Sequence, residues 1–393
     1  MEIGRTRSFL LDRGMVYIYT VFMAGYFLLP MASGHRKLYY LLVLPAIVCL
    51  WRELARFYRN NTLFLLICAY TAYMLLSLLW TEEYRNLRAI VAFWDAMMVI
   101  SFVAVSGFIW VQYPHTSDQL VRRGVWLASA AALVSIVVWY TNNPFPESRL
   151  VPLGVMHHQN KSGAAYAIFL VLSVYLLSTS PGRNQRLLYL GTTALLGSLV
   201  VFTQSRTALA GACVGLVILL GWRAMGLALI AMLASWALVA ANPQDWLERV
   251  ENLSFRPGIW QQVLSDMQGH WLIGRGYLTN PEVEAYGQVF SHAHNSYLAS
   301  LRDGGLLGLG LMLAMLGVAS LWAARIMLQR GERLYLALLT LGMTCLFMDF
   351  DRLLVQPKEM WIYLWLPIAM VTAIYPHRQQ SGQHRYRAAG RAT

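Results

Sequence analysis

Two histidines separated by one residue, His292 and His294, lead into Asn295 and a glycine-rich run (FSHAHNSYLASLRDGGLLGLG), the most distinctive segment of the 393-residue chain. An imidazole takes up or releases a proton near neutral pH, so either ring could act as a general base. The same His-x-His spacing could hold a metal together with Asp303, or with Asp349 and Asp351, and it equally suits structural histidines at an interface. Arginines supply a second chemistry, the binding of anions. Arg206 interrupts residues 187–222, which are otherwise almost wholly apolar. A guanidinium close to hydrocarbon is costly unless paired, and its planar fork matches phosphate oxygens; the bland alternative is a cation snorkelling to lipid headgroups. Arg256 begins a segment in which Pro257 and the 3–4-residue spacing of Trp260, Val263, Leu264 and Met267 predict a short amphipathic helix, whose free N-terminal N–H groups also favour an anion. Arg275 adds a cation nearby, for which a surface role is the simpler reading. Further polar clusters are His157, His158, Asn160 and Lys161, and Asp349, Asp351 and Arg352. Asp95 is the one acid well inside an apolar stretch, with pairing and functional roles both open.

These residues have to be positioned by membrane-spanning helices. The chain is 58% hydrophobic and only 13% charged, against roughly a quarter charged in soluble domains, and a bilayer crossing takes about 20 apolar residues. Spans are expected at roughly 14–33, 38–51, 61–80, 89–112, 124–140, 163–179, 187–203, 208–222, 224–241, 306–324, 334–355 and 359–375. The reading is an all-α polytopic membrane protein of about 12 spans. Its parts are a membrane domain over 1–241, a loop over 242–305 carrying the amphipathic helix, a second membrane domain over 306–376 and a basic tail over 377–393. With both termini in the cytoplasm, that side collects 18 of the 31 Lys and Arg residues and five of the 19 acids, which is a strong positive-inside bias. Residues 141–162, the TQSRT turn at 203–207 and the 242–305 loop then face the opposite compartment. The net charge of +12 therefore reports orientation, and no nucleic-acid partner is expected. Cys49, Cys68, Cys213 and Cys345 all lie in apolar stretches without metal or disulfide spacing. The sequence has neither a phosphate-cradling glycine loop nor a nucleophilic serine motif.

His294-Asn295, nine residues, Gly305, two residues and Gly308 resemble the signature His-(Asn/Ser/Gln)-x9-Gly-x-x-(Gly/Thr/Tyr) of the bacterial O-antigen ligase superfamily, which also includes O-antigen polymerases and protein O-oligosaccharyltransferases. The resemblance extends to Ser205-Arg206 with Leu209, to Arg256-Pro-Gly-Ile-Trp260, to Gly274-Arg-Gly276-Tyr277 and to the many-span layout with one large periplasmic loop. It implies an inner-membrane helical fold resembling GT-C-type glycosyltransferases, with a periplasmic site. The implied reaction moves an O-antigen glycan from undecaprenyl diphosphate to a sugar hydroxyl of lipid A-core, without cofactor or metal and with inversion. Carried over, Arg206 and Arg256 would hold the diphosphate and His294 would be the base. His157, His158, Lys161, Arg275, His292, Asn295 and one of Asp349 and Asp351 would contribute to substrate binding. A polymerase or a protein oligosaccharyltransferase would share the donor. A lipid-linked-sugar flippase would instead want polar residues at mid-span in several helices, where this chain has little beyond Asp95.

Overall fold

A computed structural model describes residues 14–81, 86–145, 148–221, 226, 233 and 255–389, without the side chains at 86, at 114–116 or beyond 377. The ninth span expected at 224–241, the acids at 242–254 and the N-terminal arginines lie outside the described residues. The helices are α1 (Met15–Leu28), α2 (Ala32–Tyr58), α3 (Thr62–Trp80, its last turn 3-10), α4 (Asn86–Gln112), α5 (Pro114–Asn142), α6 (Gln159–Thr179), α7 (Arg183–Phe202), α8 (Arg206–Leu220), α9 (255–265), α10 (Ser296–Arg330), α11 (Leu334–Asp349) and α12 (Leu366–Ala389). Seven of them are long and apolar enough to cross a membrane, and α1, α8 and α11 are shorter apolar helices. The protein is a mostly helical multi-pass membrane protein, consistent with the all-α class expected.

Helix limits depart from the sequence reading where tertiary contacts intervene. The stretch expected as a short span at 38–51 belongs to a helix from Ala32 to Tyr58, with a π turn at Tyr39–Val43 just before Pro45. The wider turn accommodates the N–H that proline lacks. The run expected at 334–355 stops at Asp349, because Phe350 is extended (φ −135°, ψ 167°) and turns the chain aside. Asp351 and Arg352 are thereby carried to Arg302 and Asp303. Helix α8 starts at Arg206 rather than 208, because the Ser205 hydroxyl accepts the Ala208 N–H at 3.2 Å.

Most of the expected site residues gather at one end of the bundle. The ends of α3, α7 and α11, the starts of α6, α8 and α10 and the 350–363 segment that precedes α12 meet there. Gly211 and Gly215 let the α8 backbone approach the Leu341 and Ala337 carbonyls of α11, as small residues do between membrane helices. The start of α8 is thus set beside the end of α11.

Helix α10 is broken at Gly305 (φ 63°, ψ −163°). A broken helix leaves carbonyls and N–H groups that hydrocarbon cannot satisfy, and the 270–277 turn satisfies them. Arg275 and Gly276 donate to the Arg302 and Asp303 carbonyls at 2.8 and 2.9 Å, while Leu306 and Leu307 donate to the Trp271 and Leu272 carbonyls at 2.8 and 3.2 Å. This backbone clasp gives Gly305 and the Gly274-Arg-Gly276 turn a physical reason.

Over the same end, α9 packs on a hairpin that the sequence did not announce: β1 (Val283–Ala285) pairs antiparallel with β2 (Gln288–Phe290) across Tyr286-Gly287. Both turn residues have positive φ, as a type I′ turn requires. Ile259, Val263, Val283 and Ala293 form a small separate core there. The Trp260 indole donates to the Ala293 carbonyl at 3.1 Å, which fixes the strand of chain between the two histidines.

Candidate active site

The backbone of His294 lies in the left-handed region (φ 49°), a conformation that costs a non-glycine residue on the order of 1 kcal/mol or more and collects at functional sites. Two contacts hold it. The His294 N–H donates to His292 Nδ1 at 3.0 Å, and its own Nδ1–H donates to Asp349 Oδ1 at 2.7 Å. With the proton on Nδ1, the neutral ring keeps a lone pair on Nε2. The His294 side chain is 29% exposed and that of Asp349 only 4%, so the imidazole can meet a substrate while the acid orients it from behind. Asp349 also accepts from the Asn160 amide. The Asn160 carbonyl in turn accepts from Arg149 Nη2 at 2.8 Å, and Arg149 Nε donates to the Thr203 carbonyl at 3.2 Å. A continuous polar chain therefore runs from the turn before α8 to His294. The two acids that the signature could not separate have different partners: Asp349 faces His294, and Asp351 faces Arg302 at 3.3 Å.

His292 is fixed differently. Because its Nδ1 accepts a backbone N–H, the ring is held neutral; burial, assisted by the neighbouring His294, lowers its pKa from 6.5 to about 4. Asp303, considered as a metal partner of the histidines, accepts instead from Arg302 Nε at 2.8 Å and Arg352 Nε at 2.6 Å. Arg352 also lies over the Tyr277 ring at 5.3 Å and donates to the Thr279 carbonyl. Burial would raise the Asp351 carboxyl, but the Arg302 and Arg352 guanidinium groups outweigh it and hold the acid below the usual carboxylate range. Among the described residues, no three His, Cys, Asp or Glu side chains come together in a way that could hold a metal ion.

Of the arginines, Arg206 is the exposed first residue of α8. Cys345, one turn before Asp349 on α11, contacts the Thr207 carbonyl at 3.7 Å. Arg256, in the first described turn of α9, acts electrostatically on Asp349, as does His158. Lys161 lines a cavity together with His292, and His157 acts on Glu359 nearby. Two expected residues have structural work: the Arg275 backbone is part of the clasp, and Asn295 caps α10, its Oδ1 accepting from Tyr297 and Leu298 at 2.9 and 3.2 Å.

No family model matches the chain. Over 363 residues, 89% of this chain and 88% of the other, it is 27% identical to an O-antigen ligase of Pseudomonas aeruginosa. The chain is thus similar to an O-antigen ligase along most of its length.

The sequence alone leaves Arg149 and Arg302 unmarked, and gives Asn160 no role beyond a polar cluster. Asn160 lies 189 residues from Asp349, and no spacing rule connects them; the one sequence signal is that both stand beside the charged ends of apolar stretches. Asn160→Ala is expected to lower the turnover of the site about tenfold, the loss of one hydrogen bond to a charged group, with little change in KM. Asn160→Asp should be worse, since it sets a second carboxylate against Asp349. Steady-state kinetics of the two variants check both statements.

Proposed function

We propose that the protein transfers an O-antigen glycan from undecaprenyl diphosphate to a sugar hydroxyl of lipid A-core at the periplasmic face of the inner membrane, completing lipopolysaccharide. The observation that carries this reading is the His294–Asp349 pair, with an exposed imidazole and a buried acid. The whole-length similarity to an O-antigen ligase agrees with it.

The acceptor O–H gives its proton to His294 Nε2 as its oxygen attacks the anomeric carbon. The bond from that carbon to the phosphate oxygen breaks on the opposite face, so configuration inverts and undecaprenyl diphosphate departs with the bonding pair. Asp349 steadies the imidazolium that forms. The negative charge growing on the diphosphate meets Arg206 and Arg256. Arg206 stands at the positive end of the α8 dipole, so cation and dipole add there, an arrangement unfavourable for a helix alone and favourable for an anion. Fixed positive groups stabilise a leaving group most when they are already in place, and an activated lipid diphosphate needs no ATP.

Transfer is tested with membranes carrying the wild type, Arg206→Ala or Arg256→Ala. Each variant should insert normally and lose about 10²–10³-fold in transfer, the usual effect of removing one charge-stabilising donor; full activity would remove the diphosphate role from that arginine. In a deletion strain, loss of all capped lipopolysaccharide with long polymer still on undecaprenyl diphosphate is the expected outcome. Capping by a single repeat unit would mean a polymerase instead.

A further inference from the structure

Beside His292 open two cavities of about 490 and 640 Å³, each in the size range of small-ligand pockets. Val91, Asp95, Arg352 and Val355 line both, so the two adjoin. Their walls come from the start of α2, the first turns of α4 and α6, the 277–282 and 291–292 stretches and the 350–363 segment. Arg36, Lys161 and Lys358 line the first cavity together with the acids Asp95, Asp351 and Glu359. None of the three cations is in the close ion pairs found among the described residues, although Arg36 and Lys358 act electrostatically on Asp95, and Lys161 and Lys358 on Glu359. Asp95 Oδ1 is enclosed without a hydrogen-bond partner among the described residues, while the carboxyl as a whole also meets the Gln356 backbone. Arg352 is bound to Asp303 and the Thr279 carbonyl, and so acts as wall.

We propose that this paired cavity is a subsite for the acceptor glycan, in which Arg36, Lys161 and Lys358 bind a phosphate group of that glycan and Asp95 accepts from one of its hydroxyls. The inference rests on the transfer reading above. Arg36, Lys161 and Lys358 outnumber Asp95 and Glu359, the lining acids outside the close ion pairs found among the described residues, so the space keeps an excess of positive charge that suits a phosphate. The enclosed carboxylate oxygen supplies the acceptor that a polyhydroxylated ligand needs. The two imidazoles divide the region. His292 faces the cavity, while His294, its ring centroid 4.1 Å away, turns to Asp349 on the side where Arg206 and Arg256 lie. A displacement between two substrates needs this layout, with leaving-group charge on one side of the base and the nucleophile on the other.

The full-length protein in lipid nanodiscs is titrated with three probes: a phosphorylated core oligosaccharide, the same oligosaccharide after phosphatase treatment, and undecaprenyl diphosphate. In Arg36→Ala/Lys358→Ala, binding of the phosphorylated glycan should weaken about tenfold or more. The dephosphorylated glycan should bind wild type and variant alike, and lipid diphosphate binding should not change, which also reports an intact fold. Unchanged affinity for the phosphorylated glycan overturns the subsite. Loss of lipid-diphosphate affinity alone would give these cations to the donor and overturn the acceptor assignment. Should the double variant fail to fold, Asp95→Asn serves instead, with weaker binding of both glycan forms expected and unchanged binding overturning the proposal. A wild-type protein that binds these probes as expected yet transfers nothing would defeat the transfer reading and leave the subsite standing.

Discussion

Replacing His294 by alanine is expected to lower the turnover of glycan transfer by about 10²–10⁴-fold, the contribution of one positioned general base, with donor affinity changed only modestly. The expectation follows from the arrangement of the pair. Nδ1 is committed to Asp349, so Nε2 is the one ring atom left to meet an incoming hydroxyl. Removing the ring also leaves Asp349 enclosed, with Asn160 as its remaining hydrogen-bond partner among the described contacts. Burst-phase or single-turnover kinetics separate the chemical step from binding. A collapse of donor affinity with turnover preserved would move His294 from base to donor ligand. His292→Ala should have a smaller direct effect on chemistry, because its Nδ1 supports the His294 backbone.

The second large effect is expected at Gly305. A side chain there meets the backbone of Leu272 and Gly274, and a φ of 63° with ψ −163° belongs to a region that is essentially glycine-only, at a cost of about 1–3 kcal/mol for other residues. Gly305→Ala adds that penalty to a backbone clash that no rotamer can relieve, and it parts the four hydrogen bonds of the clasp. Far less well-folded protein should be recovered from membranes, and the recovered fraction should transfer poorly. Gly310→Ala, five residues along the same helix with nothing within 4 Å of the added carbon, should be close to neutral. Monodisperse yield and transfer rate of the two variants decide the matter; equal behaviour would mean the clasp does not hold the site.

Much of the fold can be read from apolar runs of bilayer length, since only helices satisfy their own backbone in hydrocarbon. The ends of those helices cannot be read in the same way, because tertiary partners set them. Residues 350–355 are apolar enough to prolong α11, yet they bend away to bring Asp351 and Arg352 to Arg302 and Asp303. That bend gives the two acids different partners, which explains why spacing could not choose between them. His294 and Arg206 are visible as polar residues where the surrounding pattern is glycine-rich or apolar. Asn160 is not, because its meaning depends on a partner brought near by the packing of other helices. The β1–β2 hairpin is hidden for a simpler reason: six short strand residues around Tyr286-Gly287 leave too little alternation to register.

The span of 189 residues between Asn160 and Asp349 also bears on how the protein comes into being. The polypeptide emerges from the N-terminal side, so α6 is in the bilayer long before α11 is made. Contacts this remote in the chain close late, and the acid that orients His294 is made only after both Asn160 and His294. A nascent or truncated chain that stops before α11 therefore lacks the acid–imidazole couple altogether.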